Sequence, residues 1–478
     1  MFKIKQFVVK CKYITIFCPR NTIEGFLQHK FEEKMKILKF GGTSVGTPES
    51  IKEVAKIVTH IEGDKIVVLS AMSQTTNVLH KITDAIQASQ FDEAKSIVDV
   101  LWSKYKTVVS ALYQNESLQK QASALIDERF DFIKSYAHEG SLPVIEGIEK
   151  IIVAQGEILS TNMFALYLEE MNENARLLSA FDFMRIDEAG EPDIDFIAES
   201  MDAIVAANAQ TNIFVTQGYI CLNHEGDIDN LKRGGSDYSA SLIGAAIAAE
   251  EIQIWTDIDG MHNNDPRFVD DTFSLKEISF DEAAELAYFG AKILHPQSVI
   301  PAKEKNVPVL LKDTFNPESA GTIIRNCPVP HGVRAIAAKD GITAIKIKSY
   351  RMLMAYGFLN KIFTVFEKYN TAIDMVTTSE VAVSLTIDND ERLQEIVSEL
   401  EGIGSVQVDS DLTIVCLAGD FSQKQSGAST EIFNSMSDIP IRMISYGGSN
   451  YNVSLLIKSE DKIRSLRALN KGVFAAKD

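Results

Sequence analysis

The sequence predicts an α/β protein in two parts: a larger domain of buried strands and helices, then a smaller region of short strands and amphipathic helices. Three observations predict it. Short apolar runs (Met35–Leu38, Lys65–Ala71, Asn212–Ile220, Ile252–Asp257, Val307–Lys312) alternate with longer helical patterns. The 478 residues exceed what one hydrophobic core usually holds. The texture also changes at Asn326–Gly332, and beyond it one pattern occurs twice.

The first strand, Met35–Leu38, leads into Lys39-Phe40-Gly41-Gly42-Thr43-Ser44-Val45-Gly46, and Pro48 then opens a helix. Paired glycines let backbone N–H groups crowd around an anion, a helix N-terminus adds positive potential, and Lys39 adds a full charge. That is a phosphate cradle with its lysine ahead of the glycines, unlike the Walker order. An ordinary tight turn accounts for Gly41-Gly42 about equally well. The second strand ends in Met72–Asn77, a loop rich in hydroxyls, placed where α/β sheets put ligand groups, although a plain polar loop is the simpler reading.

Residues 78–170 read as mostly helical, and Glu157 within them reads on its own as a solvated helix residue. After the strand at 212–220 comes a short hairpin, then Lys232-Arg233-Gly234-Gly235-Ser236-Asp237. Ser236 or Asp237 is expected to cap the apolar helix running to Ala249. Two cations, two glycines and an acid at a helix mouth make a second anion site, and two such sites are harder to explain by capping than one. Asp257 and the loop Ile258–Arg267 after it hold three carboxylates, a histidine and an arginine. Carboxylates beside a phosphate call for Mg²⁺ or for a sugar in front of them, and a solvated turn is the alternative. A helix over Asp281–Ala291 and strands at Val307–Lys312 and Gly321–Ile324 close the first part.

In the second part Val383–Ile387 echoes Val453–Ile457, each after a polar segment and before an acidic helix start. Two ferredoxin-like βαββαβ modules fit residues 341–478, with a binding or dimerising role.

Composition narrows the function. A formal charge of −19, from 47 basic and 66 acidic residues, argues against nucleic acid as the main partner and requires local positive clusters for any anionic ligand. The longest apolar run, Ala240–Ala249, is about ten residues, too short to span a bilayer. Five scattered cysteines without CxxC spacing fit a reducing cytoplasm. Residues 1–34 form a basic, apolar leader broken by Lys10-Cys11-Lys12, so a secretory signal is not expected. Met35 reads as the true start, or residues 1–34 as a dispensable disordered arm; a small docking helix is the alternative.

The ordered motifs KFGGTSVG, VVLSAM…TTN, GEILS, TQGYI, RGGSDYSA, IWTDIDG…DPR and ELAYFGAKILHP, between 39 and 296, closely resemble the aspartate kinase family. Gly357–Leu359, Asp374–Glu380 and Ile444–Gly447 resemble that family's paired ACT domains. The resemblance covers the chain from Met35 to the last helix. It implies an amino-acid kinase (carbamate-kinase-like) three-layer sandwich over 35–326 and two interleaved ferredoxin-like ACT domains over 327–478. It also implies transfer of the γ-phosphoryl of ATP to the β-carboxylate of L-aspartate, the first step of lysine, threonine and methionine biosynthesis. No homoserine dehydrogenase is expected after the second ACT domain.

By the same resemblance, Lys39 meets the transferred phosphoryl group, with Gly41, Gly42 and Ser44 donating to it, and Asp237 organises Lys39. Arg233 clamps the substrate α-carboxylate and Glu157 its ammonium; Ser70, Thr76 and Ser236 complete the aspartate pocket. Thr256, Asp257, His262, Arg267, Lys292 and Ile293 fall on the nucleotide side, and ATP with Mg²⁺ is implied, without a metal cage of protein side chains. The substrate carboxylate, with a reference pKa of roughly 3.9, is already ionised and needs no general base. Lys232, His262, Asp313 and Asn470 depart from the family's usual residues. Met352, Ala355, Phe358, Leu359, Asp374, Ser379 and Glu380 match an effector site, lysine being the first candidate and threonine the second. Dimers or tetramers through the ACT domains are expected. Two other readings stay open: a sister small-molecule kinase on the same fold, and an amino-acid sensor that has lost catalysis.

Overall fold

The computed structural model describes residues 34–138, 145–231, 234–289, 295–350, 356–422 and 427–474. The proposals for residues 1–33, Arg233, Lys292, Ile293, Met352 and Ala355 therefore lie outside the described residues.

The apolar runs form strands because they have water on neither face. β1 (Lys36–Phe40), β2 (Lys65–Leu69), β4 (Ile213–Gln217) and β7 (Glu251–Thr256) lie in the middle of an eight-stranded sheet, and every residue of β2 and β4 is buried. With β3 (Ala175–Leu177), β8 (Glu277–Ile278), β9 (Val309–Asp313) and β10 (Thr322–Ile324) the order is β3-β4-β2-β1-β7-β9-β10-β8. All pairings are parallel except β9 with β10.

Alternation along each strand sorts side chains between two cores. Leu38, Phe40, Val67 and Leu69 pack under α1 (Pro48–His60), α2 (Thr75–Gln87), α3 (Phe91–Leu112), α4 (Glu116–Lys134) and α5 (Ile145–Glu170). Ile37, Ile66, Val68 and Phe214 face α6 (Ile194–Ala207), α7 (Gly235–Ala246), α8 (Phe280–Tyr288) and α9 (Ile300–Glu304). That is the expected three-layer sandwich. Local signals start the helices: Thr47 and Ser50 form a capping box ahead of Pro48, as do Ser279 and Glu282 at α8. A small hairpin of β5 (Ile220–Leu222) and β6 (Ile228–Asn230) sits between β4 and α7.

Three expectations are corrected. The α7 cap is Gly234, in the left-handed region at φ 71°, with no side-chain cap bond; Ser236 and Asp237 are engaged elsewhere. That helix stops at Ala246, not Ala249, and α8 covers Phe280–Tyr288 instead of Asp281–Ala291. The helix stretch Gly147–Glu170 is long and apolar enough to cross a membrane, which the apolar runs do not reveal; 67% of its apolar window is buried inside the protein.

The second part is one six-stranded antiparallel sheet, ordered β12-β13-β11-β14-β16-β15. β11 (Gly332–Lys348) and β14 (Ser405–Asp420) run its full width. Their far halves, with α10 (Phe358–Lys368), β12 (Val376–Thr378), β13 (Ala382–Ile387) and α11 (Leu393–Glu401), complete one βαββαβ unit. The other unit takes the remainder of β14 with α12 (Ala428–Ser435), β15 (Met443–Tyr446), β16 (Asn452–Lys458) and α13 (Lys462–Phe474). Its last strand is the first half of β11. The two modules are thus interleaved, and the region starts at Gly332, not at 341, because the final strand of the second copy precedes the first copy in sequence.

Candidate active site

The proposed catalytic residues lie at the C-terminal ends of the parallel strands. From β1 the chain steps to β2 and later β4 on one side, then returns to β7 on the other. The crevice at that reversal, where α/β sheets take ligands, lies over the end of β1. Lys39 is on β1, and its Nζ is 2.7 Å from Asp237 Oδ1 on the first turn of α7; the side chains are 12% and 17% exposed. The two glycine-rich turns are therefore brought together by one ion pair.

Close backbone approach explains why glycine stands there. A Cβ on Gly42 would lie 2.8 Å from the Ala71 carbonyl oxygen, and one on Gly218 would lie 2.3 Å from Ser236 Cβ. Gly234 and Gly235 have φ of 71° and 51°, and the first turn of α7 keeps its N–H groups clear of any side-chain cap.

On the β2 side, Ser70 Oγ donates to Ser236 Oγ at 2.9 Å, and Ser160 Oγ donates to the Ser70 carbonyl at 2.8 Å. Thr76 stands half-buried on the first turn of α2. Glu157, which reads from its helix context as a solvated residue, is 3% exposed. Its Oε1 accepts from the Ala71 N–H at 3.3 Å, while Oε2 is buried with no partner. Burial pushes its carboxyl up to about 8. An orphaned, desolvated carboxylate is a receptor for a cation, and an ammonium group completes it. The Ser44 hydroxyl is buried against Thr314 Oγ1 at 2.8 Å, where it braces the turn.

On the β7 side a cavity of about 390 Å³ is lined by Thr256, Asp257, His262 and Arg267, all expected on the nucleotide side. This volume is within the range of small-molecule sites, roughly 300–1,000 Å³. His262 Nε2 is 2.8 Å from Asp259 Oδ1, and the Arg267 guanidinium grips Asp265 through bonds of 2.6–3.2 Å, which lower that carboxyl against the cost of burial.

Known proteins align with this arrangement. The Amino acid kinase family matches residues 34–313, and the ACT domain matches 415–473. Lysine-sensitive aspartokinase 3 of Escherichia coli is 31% identical over 451 residues, covering 92% of this chain and 99% of that one. The chain belongs to the aspartokinase branch of the amino acid kinase family. Two solved structures of E. coli aspartokinase III, one with aspartate and ADP (R-state) and one with lysine and aspartate (T-state), superpose with TM-scores of 0.79 and 0.77. Both are 31% identical and cover 92% of this chain; the chain covers 100% and 99% of theirs.

In this aspartokinase fold the wall of that cavity also includes Leu286 on α8 and Ile336, Ala337 and Ala338 on β11, none of them expected from sequence. They are plain apolar residues, and only the pairing of β11 puts them there. Asn470, a departure without a role at first, is 8% exposed, and its Oδ1 accepts from Asn263 and Asn264 Nδ2 at 3.2 Å each. Asn264 lines the cavity, so α13 holds the loop that walls it.

The proposed effector residues are only partly gathered. Phe358 is 8% exposed and packs into the module core. Leu359 and Glu380 are exposed, and the Ser379 N–H closes a turn onto the Ala382 carbonyl at 2.8 Å. The Asp374 side chain is 1% exposed, with Oδ1 2.8 Å from Lys339 Nζ and 2.9 Å from Tyr288 Oη; its Oδ2 has no partner.

Proposed function

We propose that this chain is an aspartate kinase that transfers the γ-phosphoryl of ATP to the β-carboxylate of L-aspartate and is inhibited by lysine. The Lys39–Asp237 ion pair over the strand reversal carries the reading, because it puts one cation between an aspartate pocket and a nucleotide cavity.

L-Aspartate enters with its ammonium at Glu157 Oε2 and its α-carboxylate toward Arg233; Ser70, Thr76 and Ser236 enclose it. The nucleotide takes the cavity at Thr256, Asp257, His262 and Arg267, with Lys292 and Ile293 beside it and its phosphates toward Gly41, Gly42 and the start of α7. The β-carboxylate attacks the γ-phosphorus in line. Lys39, held by Asp237, stabilises the charge that spreads over the phosphoryl oxygens, and the turn N–H groups add to it. No proton has to move, since the attacking carboxylate is already ionised.

Among the described residues no group of three or more His, Cys, Asp or Glu gathers as a metal cage. Mg²⁺ bound to the nucleotide would neutralise phosphate charge, and Asp257 and Asp259, which line the cavity, would face it.

Lysine occupies the site around Asp374, Ser379, Glu380 and the start of α10, together with Met352 and Ala355. Apolar side chains left exposed at both sheet edges, Val376 on β12 and Ile444 and Tyr446 on β15, support pairing of regulatory regions into dimers or tetramers. Cys221, Cys327 and Cys416 are free, in keeping with a reducing compartment such as the cytoplasm.

The test is acyl-phosphate formation trapped with hydroxylamine, with L-aspartate or glutamate, with and without lysine or threonine, for the wild-type and Lys39→Ala proteins. Aspartate-dependent turnover is expected, reduced about a thousandfold or more in Lys39→Ala and suppressed by lysine. Turnover with glutamate in preference to aspartate would support the sister-kinase reading. No turnover despite lysine binding would leave a sensor.

A further inference from the structure

Asp374 stands where the nucleotide cavity meets the regulatory sheet. Its side chain is 1% exposed. One oxygen, Oδ1, is shared by Lys339 Nζ at 2.8 Å on β11 and Tyr288 Oη at 2.9 Å at the end of α8. Lys339 also lies over the Tyr288 ring, 4.5 Å from its centroid, and reaches Asp388 at 2.8 Å. The other oxygen, Oδ2, is buried without a partner.

Neither partner of Oδ1 lines the cavity itself, but each sits on an element that does. Leu286, two residues before Tyr288 on α8, lines it from the kinase side, and Ala338, next to Lys339, lines it from the regulatory side. The next residue after Tyr288, Phe289, is 6% exposed and packs among Ile342, Met375 and Leu412 of the regulatory sheet. The carboxylate therefore fastens two opposed walls through a single oxygen.

We propose that Asp374 is a relay: an amino-acid effector's ammonium takes Oδ2, and the Oδ1 bond to Tyr288 transmits its arrival to the nucleotide cavity. This rests on the effector reading given above. The chain's own Lys339 ammonium already neutralises Asp374 in the absence of effector. A second cation turns the carboxylate toward itself and weakens the bond to Tyr288, so the α8 wall shifts relative to β11. An effector that prefers the loosened arrangement thereby disfavours ATP, and by linkage ATP disfavours the effector. The relay makes lysine act on the KM for ATP through Tyr288, which touches neither ligand.

Tyr288→Phe tests this. The ring is 39% exposed and the change removes one hydroxyl, so folding is not at stake. Lysine binding is measured by calorimetry, and the KM for ATP with and without saturating lysine, for the wild-type, Tyr288→Phe and Asp374→Asn proteins. In the wild type lysine is expected to raise the KM for ATP about fivefold or more, the low end of allosteric coupling. In Tyr288→Phe lysine is expected to bind within about threefold of wild type while its effect on that KM falls below about twofold. Asp374→Asn is expected to lose lysine binding. Full inhibition of Tyr288→Phe with lysine bound would overturn the relay, as would loss of lysine binding in that variant, which would make Tyr288 a ligand. Failure of the wild type or of Asp374→Asn to follow expectation in lysine binding would instead overturn the effector reading.

Discussion

Glu157 shows how one residue changes meaning between helix and fold. On an isolated helix it is solvated; between α5 and the end of β2 it is buried, with one oxygen unpartnered, and its carboxyl is raised to about 8. Since that is above the ordinary value of about 4.3, the folded protein holds a proton that the unfolded chain has released. Stability from this group is full below about pH 4.3 and is lost as pH rises through about 8. Glu157→Gln, which cannot ionise, is therefore expected to gain stability over the ligand-free wild type as pH rises from 5 to 8, by at least about 1 kcal/mol, roughly the worth of one pKa unit. Denaturant midpoints at the two pH values check it. The same variant is expected to raise the KM for aspartate about 10- to 100-fold, because a charged hydrogen bond is lost. The wild-type KM for aspartate should fall between pH 6 and 8 as Glu157 ionises, and that of the variant should not. Asp237→Asn keeps the shape of the site but weakens the hold on Lys39; steady-state kinetics should show kcat reduced about 10- to 100-fold with both KM values little changed.

At the scale of elements, the contacts that matter join pieces far apart in sequence. Helix α13 reaches the nucleotide loop through Asn470 to Asn263 and Asn264, and through Arg467 Nε to the Phe268 carbonyl at 2.9 Å. Phe273 of that loop meets the Phe474 ring edge-on at 5.9 Å. Asn470→Ala is expected to raise the KM for ATP about threefold to tenfold and leave the KM for aspartate alone, since two buried amide bonds to the loop are lost. Asn470→Gln should not restore it, as the longer side chain cannot fit the same pair. The turn after β4 is as tight: Gly218→Ala drives a methyl into Ser236, which bonds Ser70, so a loss of about 1–3 kcal/mol in stability is expected, measured by urea unfolding.

For the whole molecule, the kinase part and the regulatory sheet share cores. Val269 of the nucleotide loop is buried with Val415, Leu417 and Leu455, and the second βαββαβ unit is closed by the start of β11, the strand that follows the kinase part. A chain ended after His331 would expose Val269 and remove the Ile336–Ala338 wall of the cavity. It is expected to bind ATP at least about tenfold more weakly than the full chain, a difference of roughly 1.4 kcal/mol, by calorimetry with a non-hydrolysable analogue. A kinase part that kept full affinity would show the regulatory sheet to be a passive neighbour.

The amino-acid sequence by itself determined the central strands, both glycine turns, the helix start at Pro48, and the chemical character of the site. Each of these depends on local pattern: apolar runs, glycine pairs, a first-turn proline and a lysine at a strand end. What only the tertiary structure decided lies where a side chain's partner is distant in sequence. Ser236 and Asp237 read as caps, yet they bond to Ser70 and Lys39, 166 and 198 positions away. Apolar Ala337 gives no sign that it walls the cavity beside β7, and Asp374 none that it ties α8 to β11. Periodicity and turn chemistry act over a few residues, whereas burial, pairing and charge neutralisation are settled by whatever the fold brings alongside.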